Sequence, residues 1–126
     1  MREGARRYRG MQSFVDAGRG FATVLRTEWN FRIHAAVAVV VAGAGFGFGL
    51  SAGEWIAVVL SAGLVFMAEV FNTALEYLAD AVHPEADRGV GMAKDAAAAG
   101  VLVAAVAAAT VGAIVFLPKA WAWLTT

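Results

Sequence analysis

At 126 residues the chain is long enough for one domain. It is 60% hydrophobic, 16% charged and formally neutral, with a mean hydropathy of +0.67, which is more apolar than a soluble domain. Zero net charge gives no support to a nucleic-acid partner, and the lack of cysteine excludes disulfides, thiol chemistry and thiolate metal sites.

Residues 4–30 read as an amphipathic helix lying on a membrane surface. Phe14, Phe21, Val24, Leu25 and Trp29 recur at near-helical spacing, with arginines between them. Gly18 and Gly20 weaken this helix or mark a bend. The segment has no apolar h-region, so a cleaved secretory leader is not expected. Three transmembrane helices follow, at 33–50, 55–82 and 96–117, because each run approaches or exceeds the roughly 20 residues a bilayer requires. The expected fold class is all-α integral membrane: the surface helix plus these spans, in one domain over 1–126.

The link Ser51-Ala-Gly-Glu54 makes the first two spans an antiparallel hairpin. Ser51 is placed to cap the second span, with Glu54 completing a capping box. Pro118 is expected to end the third, and Trp121 and Trp123 suit an interfacial belt. Gly43, Gly45, Gly47 and Gly49, and the alanines from Ala96 to Ala109, form small faces that let helices approach closely. Three thin helices enclose a site poorly, so several copies of the chain are expected to assemble.

Basic residues set the orientation. Six of the ten (Arg2, Arg6, Arg7, Arg9, Arg19 and Arg26) lie at or before position 26; Arg32, Arg88 and Lys94 flank the spans on the same side. The hairpin link has none and the C-terminus has Lys119 alone. The positive-inside rule then puts the N-terminus and the 82–95 loop in the cytoplasm.

The second span ends in Glu69-Val-Phe-Asn72-Thr-Ala-Leu-Glu76-Tyr-Leu-Ala-Asp80. At about 100° per residue these four polar groups fall within roughly 80° of one another, on one helix face. Ionisable groups at membrane depth face protein, water or ligand rather than lipid. Glu69 is the deepest, about 10 Å beyond Glu76 along the helix. A carboxylate there suits a general base acting on a lipid hydroxyl, with Asn72 one turn away to orient it. Glu28 and Glu76 are candidate magnesium ligands, since Mg²⁺ takes one or two carboxylates plus phosphate oxygens and water. Lys94 offers a point charge to a phosphate. Glu85 and Asp87 make the adjoining loop acidic.

Several of these residues also have structural readings. Lys94 and Asp95 flank the third span, where an Asp favours a helix N-terminus. Glu76 and Asp80 also read as interfacial charges, and His34 as an interfacial residue rather than a metal ligand. His83-Pro84 is a helix stop. Glu69, between Ala68 and Val70, is costly in a purely structural role. No phosphate-binding P-loop sequence occurs, and the glycines of 43–49 lie inside an apolar run.

Glu28-Trp-Asn-Phe-Arg-Ile-His34, Ala68-Glu-Val-Phe-Asn-Thr-Ala-Leu-Glu-Tyr-Leu-Ala-Asp80 and Gly91-Met-Ala-Lys-Asp-Ala-Ala-Ala-Ala-Gly100 together resemble the signature of the small prokaryotic diacylglycerol kinases. The resemblance covers nearly the whole chain. It implies an integral-membrane lipid kinase assembling as a homotrimer with active sites shared between subunits. It also implies the bacterial inner membrane, with the active site on the cytoplasmic side. Glu69 matches the family's catalytic base and Asn72 a further catalytic position. Glu28 and Glu76 match ligands of the magnesium carried by ATP. Arg9, Asp16, Glu85, Ala86, Asp87, Lys94 and Asp95 match nucleotide-contacting positions, although Asp16 stands where the family usually has an aromatic residue. Arg9, Phe31, Arg32 and Glu69 are expected at the lipid. The Glu28–His34 motif, Glu54-Trp55 and Asn72-Thr-Ala look closer to the branch that phosphorylates undecaprenol than to the diacylglycerol branch. The activity so implied is ATP- and Mg²⁺-dependent phosphorylation of one of those two lipids. A small proton- or cation-coupled transporter is the alternative from another class: it accounts for Glu69 but leaves Glu28, the acidic loop and Lys94-Asp95 unused.

Overall fold

A computed structural model describes the backbone of residues 2–126 and the side chains from residue 10 on. These residues form four helices, α1 (Arg2–Thr27), α2 (Trp29–Phe48), α3 (Ala52–Val82) and α4 (Arg88–Thr125), with no strand among the described residues. Three of them, α2, α3 and α4, are long and apolar enough to cross a membrane. Their exposed faces carry Val39, Val40, Leu60, Leu102 and Ile114, which suit acyl chains rather than water.

Helices α1 and α2 form one helical path with a break at a single residue. Helical bonds flank it, from Glu28 N to Val24 O and from Arg32 N to Glu28 O, yet Glu28 itself is extended, with φ −98° and ψ 115°. The helix expected over 4–30 therefore stops at Thr27, and the next begins four positions before residue 33. Aromatic packing accounts for the redirection. Phe21 of α1 meets Phe31 of α2 with ring centroids 5.1 Å apart, and Phe31 meets Phe66 of α3 at 5.2 Å. Phe31 is 0% exposed. A straight continuation through Glu28 would carry Phe31 away from Phe66 and lose that burial.

The hairpin end is built from backbone chemistry. Gly49 closes α2 with φ +66°, a left-handed conformation costly for other residues, while Leu50 N donates to Gly45 O. The capping box is present: Glu54 N donates to the Ser51 hydroxyl, and Ser51 N to Glu54 Oε2 at 2.8 Å. Gly45 is required for packing, since a Cβ there would lie 2.6 Å from the Trp55 ring. Leu50, Val58 and Val115 form a small core beside them, joined by Val41, Trp55, Val111 and Phe116.

Helix α4 exceeds the expected 96–117 at both ends. It starts at Arg88, where Asp87 Oδ1 accepts from Val90 N at 2.9 Å. It continues through Pro118 to Thr125. The proline lacks the N–H that would reach Ile114, but the next turn is held by Lys119 Nζ, 3.1 Å from Glu54 Oε1, and by Phe116 against Phe48. Composition marks the apolar stretch of a helix, whereas caps and tertiary contacts set its ends. The 31 and 38 residues of α3 and α4 span about 46 and 57 Å, so both project beyond a hydrocarbon layer of about 30 Å.

Helices α3 and α4 pack along their length, with Ala104 buried between them; Ala96, Ala98, Ala99 and Gly100 stay exposed in the single chain. Between its aromatic end and its hairpin end, α2 stands off. The result is an apolar groove of about 360 Å³, lined by His34, Val37, Val41, Val58, Val65 and Ala105 among others.

Candidate active site

Helix α3 is the spine of the polar region and carries two adjacent rows of groups. Glu69, Thr73 and Tyr77 recur every four residues and meet α1 and α2. Asn72, Glu76 and Asp80 form the neighbouring row, whose outer end reaches α4.

Glu69 is the innermost. It is 3% exposed, and Thr73, one turn away, is 2% exposed. The ring nitrogen Nε2 of His34 on α2 lies 3.2 Å from Glu69 Oε1. The approach does not meet hydrogen-bond geometry, so Oε1 has no hydrogen-bond partner among the described residues. The charges of Glu28 and Glu76 also reach Glu69.

One turn outward, Asn72 Nδ2 donates to Glu76 Oε1 at 3.2 Å, and Asn72 Oδ1 is buried without a partner among the described residues. One N–H of the Asn72 amide is engaged by Glu76, and no hydrogen bond joins Asn72 to Glu69 among the described residues. Glu28, at the break between α1 and α2, is held to α3. Its Oε1 accepts from the Tyr77 hydroxyl at 3.2 Å and the Thr27 hydroxyl at 3.1 Å, and the two hydroxyls are 2.7 Å apart. Farther out, Lys94 Nζ on α4 pairs with Asp80 Oδ1. Asp80, Pro84, Glu85, Ala86, Asp87 and Lys94 border an open cleft of about 530 Å³ at the turn between α3 and α4. Glu85 and Ala86 are exposed there, Asp87 serves as the α4 cap, and Asp95 is exposed within α4.

Glu28, Glu69, Asn72, Glu76 and Lys94 thus gather on α3 and the ends that pack on it. Other expected residues do not join them. Asp16 is engaged along α1, by Gln12 Nε2 at 3.0 Å and Arg19 at 3.4 Å. Arg9 lies outside the residues whose side chains are described. Phe31, expected at the lipid, has no exposed surface: it packs the aromatic cluster. Arg32 is exposed, its guanidinium 5.3 Å from the Trp29 ring centroid.

Residues 16–116 match the family described as prokaryotic diacylglycerol kinase. The chain belongs to that family. Membership makes it a lipid kinase. Among its relatives, the undecaprenol kinase of Bacillus subtilis (strain 168) is 43% identical over 111 residues, which cover 88% of this chain and 90% of that protein. A diacylglycerol kinase of Synechocystis sp. is 37% identical over 107 residues, covering 84% of this chain and 61% of that protein.

For a kinase of this family the donor set is informative. No cluster of three or more His, Cys, Asp or Glu residues that would hold a metal ion occurs among the described residues. Glu28 and Glu76 supply two carboxylates, each steadied by a hydrogen bond. Two carboxylates match in number what a magnesium ion takes from protein when its remaining ligands are phosphate oxygens and water. The sequence reading missed Tyr77, Thr27 and the nearness of His34 to Glu69. The i, i+4, i+8 row of Glu69, Thr73 and Tyr77 is visible in the sequence and signals a second polar face. The partner each residue takes on another helix is not.

Proposed function

We propose that this kinase transfers the γ-phosphoryl group of ATP to the primary hydroxyl of undecaprenol at the cytoplasmic face of the bacterial inner membrane. The observation that carries this reading is Glu69: a buried carboxylate with an unpartnered oxygen, backed by the Glu28–Glu76 pair and by Lys94. Glu69 takes the hydroxyl proton as the lipid oxygen attacks the γ-phosphorus. Glu28 and Glu76 would hold the magnesium that accompanies ATP, and the ion would lower the charge on the phosphates. Lys94 exchanges Asp80 for a phosphate oxygen, and the loop 85–87 borders the nucleotide. α1 lies on the membrane surface, supported by its arginines and by exposed Phe14 and Met11. The exposed alanines of α4 and the open sides of the three-helix unit support assembly as a homotrimer. Identity to a named undecaprenol kinase over nine-tenths of its length favours undecaprenol over diacylglycerol.

The deciding experiment is labelled-ATP transfer in mixed micelles, with undecaprenol and diacylglycerol offered separately and in competition. Preferential labelling of undecaprenol is expected. Preference for diacylglycerol would replace the substrate and leave the chemistry, and labelling of neither would remove the kinase reading. Glu69→Gln is expected to fold and to lose roughly 10²-fold or more in kcat, the scale of one lost proton-transfer group. Full activity in that variant would remove Glu69 as base.

A further inference from the structure

The function just proposed leaves one group beside the base unused. His34 is the side chain of another helix whose nitrogen reaches Glu69, at 3.2 Å, and it is the more accessible partner: its side chain is 27% exposed against 5% for Glu69. A buried base that has collected a proton must pass it on before the next turnover. Thr73 beside it is buried as well, and Asn72 turns its amide nitrogen to Glu76. His34 also lines the apolar groove between α2, α3 and α4, so it borders the hydrocarbon side and the base at once.

We infer that His34 is a positioning residue acting through Glu69: it orients the carboxylate and accepts the proton that the carboxylate takes from the lipid. The inference rests on the proposed role of Glu69 as base. In the first step the lipid O–H bond breaks and a Glu69 O–H bond forms. The lipid oxygen bonds to the γ-phosphorus as the bond from that phosphorus to the departing ADP oxygen breaks. In the second step the proton moves from Glu69 to His34 Nε2, and from the imidazolium to interfacial water at the headgroup end of α2, which begins at Trp29. Geometry favours this order. Oε1 has no hydrogen bond among the described residues, so it is free to take one up with the neighbouring Nε2. Once protonated, Oε1 would donate to Nε2 after a small rotation of the carboxyl or the ring, since the two atoms are already 3.2 Å apart. Among the charged groups around the pair, Glu28 and Glu76 reach Glu69 from the α1–α2 break and from α3. Arg32, on α2, lies against Trp29, and α4 lines the groove with small apolar residues such as Ala105, Ala108 and Gly112.

The test uses the full chain in proteoliposomes with labelled ATP and undecaprenol, comparing wild type, His34→Ala, His34→Gln and Glu69→Gln, each checked by thermal unfolding. His34→Ala is expected to lower kcat about 10²-fold. KM for ATP and for lipid should stay within about twofold, as expected when binding is untouched. Added imidazole should restore His34→Ala, because it refills the space with a proton acceptor. His34→Gln keeps the polar contact without accepting a proton and should stay slow with or without imidazole. Wild-type kcat in His34→Ala, or failure of imidazole to restore a folded His34→Ala protein, would overturn the inference. So would full activity in His34→Gln. Glu69→Gln separates the two readings: if it is inactive while His34→Ala is fully active, the base stands and the role of His34 falls. If Glu69→Gln is active, both fall.

Discussion

Tyr77→Phe removes one oxygen and leaves the ring, so it tests whether the Tyr77 hydroxyl sets the position of Glu28. That oxygen serves two contacts, 3.2 Å to Glu28 Oε1 and 2.7 Å to the Thr27 hydroxyl. Tyr77 is 46% exposed, so water replaces part of what is lost. Thr27 also keeps its own 3.1 Å contact with the carboxylate. The net loss is therefore that of one ordinary hydrogen bond, about 1 kcal/mol. If Glu28 is a magnesium ligand, that converts to an approximately fivefold weaker apparent affinity for Mg²⁺. The assay is initial rate against Mg²⁺ at fixed ATP, with the lipid saturating, for wild type and Tyr77→Phe. The magnesium curve should move to higher concentration while the rate at saturating metal changes little. Magnesium binding measured without turnover, in the presence of a non-hydrolysable ATP analogue, should shift by the same factor. An unchanged magnesium curve, or a change confined to the lipid KM, would refute the argument that Tyr77 steers Glu28 as a ligand.

The fold supplies further tests. Gly45→Val places a Cβ 2.6 Å from the Trp55 ring, so either that ring or the α2–α3 hairpin must shift. Thermal unfolding in detergent should show a loss of about 1–3 kcal/mol. Phe31→Ala empties the centre of the aromatic cluster. It should cost about 3 kcal/mol or more, read as a lower midpoint of thermal inactivation, with a further drop in activity if α1 is freed from α3. Lys119→Ala removes the tie between α4 and the α3 cap. The pair is solvent-screened, so the loss of thermal stability should be small, and a limited proteolysis digest should cut beyond Pro118 more readily.

Much of this protein is legible in order along the chain. Apolar runs long enough for a bilayer specify three helical spans, because a helix satisfies its backbone groups within one segment in lipid. Ser51 and Glu54 announce a helix start by local chemistry alone, and the observed capping box involves residues three apart. The carboxylate row on α3 is a consequence of helical periodicity, so Glu69, Asn72, Glu76 and Asp80 were identifiable as one face before any packing was known. Their costliness in lipid marked them as a candidate site.

The remaining features depended on contacts between residues far apart in sequence. Nothing local to Glu28 requires an extended residue there; the break follows from Phe31 meeting Phe21 and Phe66, which belong to different helices. Phe31 itself reads from sequence as a residue near the lipid, and burial in that cluster gives it a packing role. Pro118 is a helix stop by local rule, yet α4 runs through it beside the Lys119–Glu54 pair, 65 residues apart in the chain. The tertiary structure likewise assigned Tyr77 to Glu28, Lys94 to Asp80 and His34 to the oxygen of Glu69. Periodicity determines which residues share a face because it depends on one helix alone. Which groups that face meets depends on how separate helices pack, and their small and aromatic side chains decided that only when brought together.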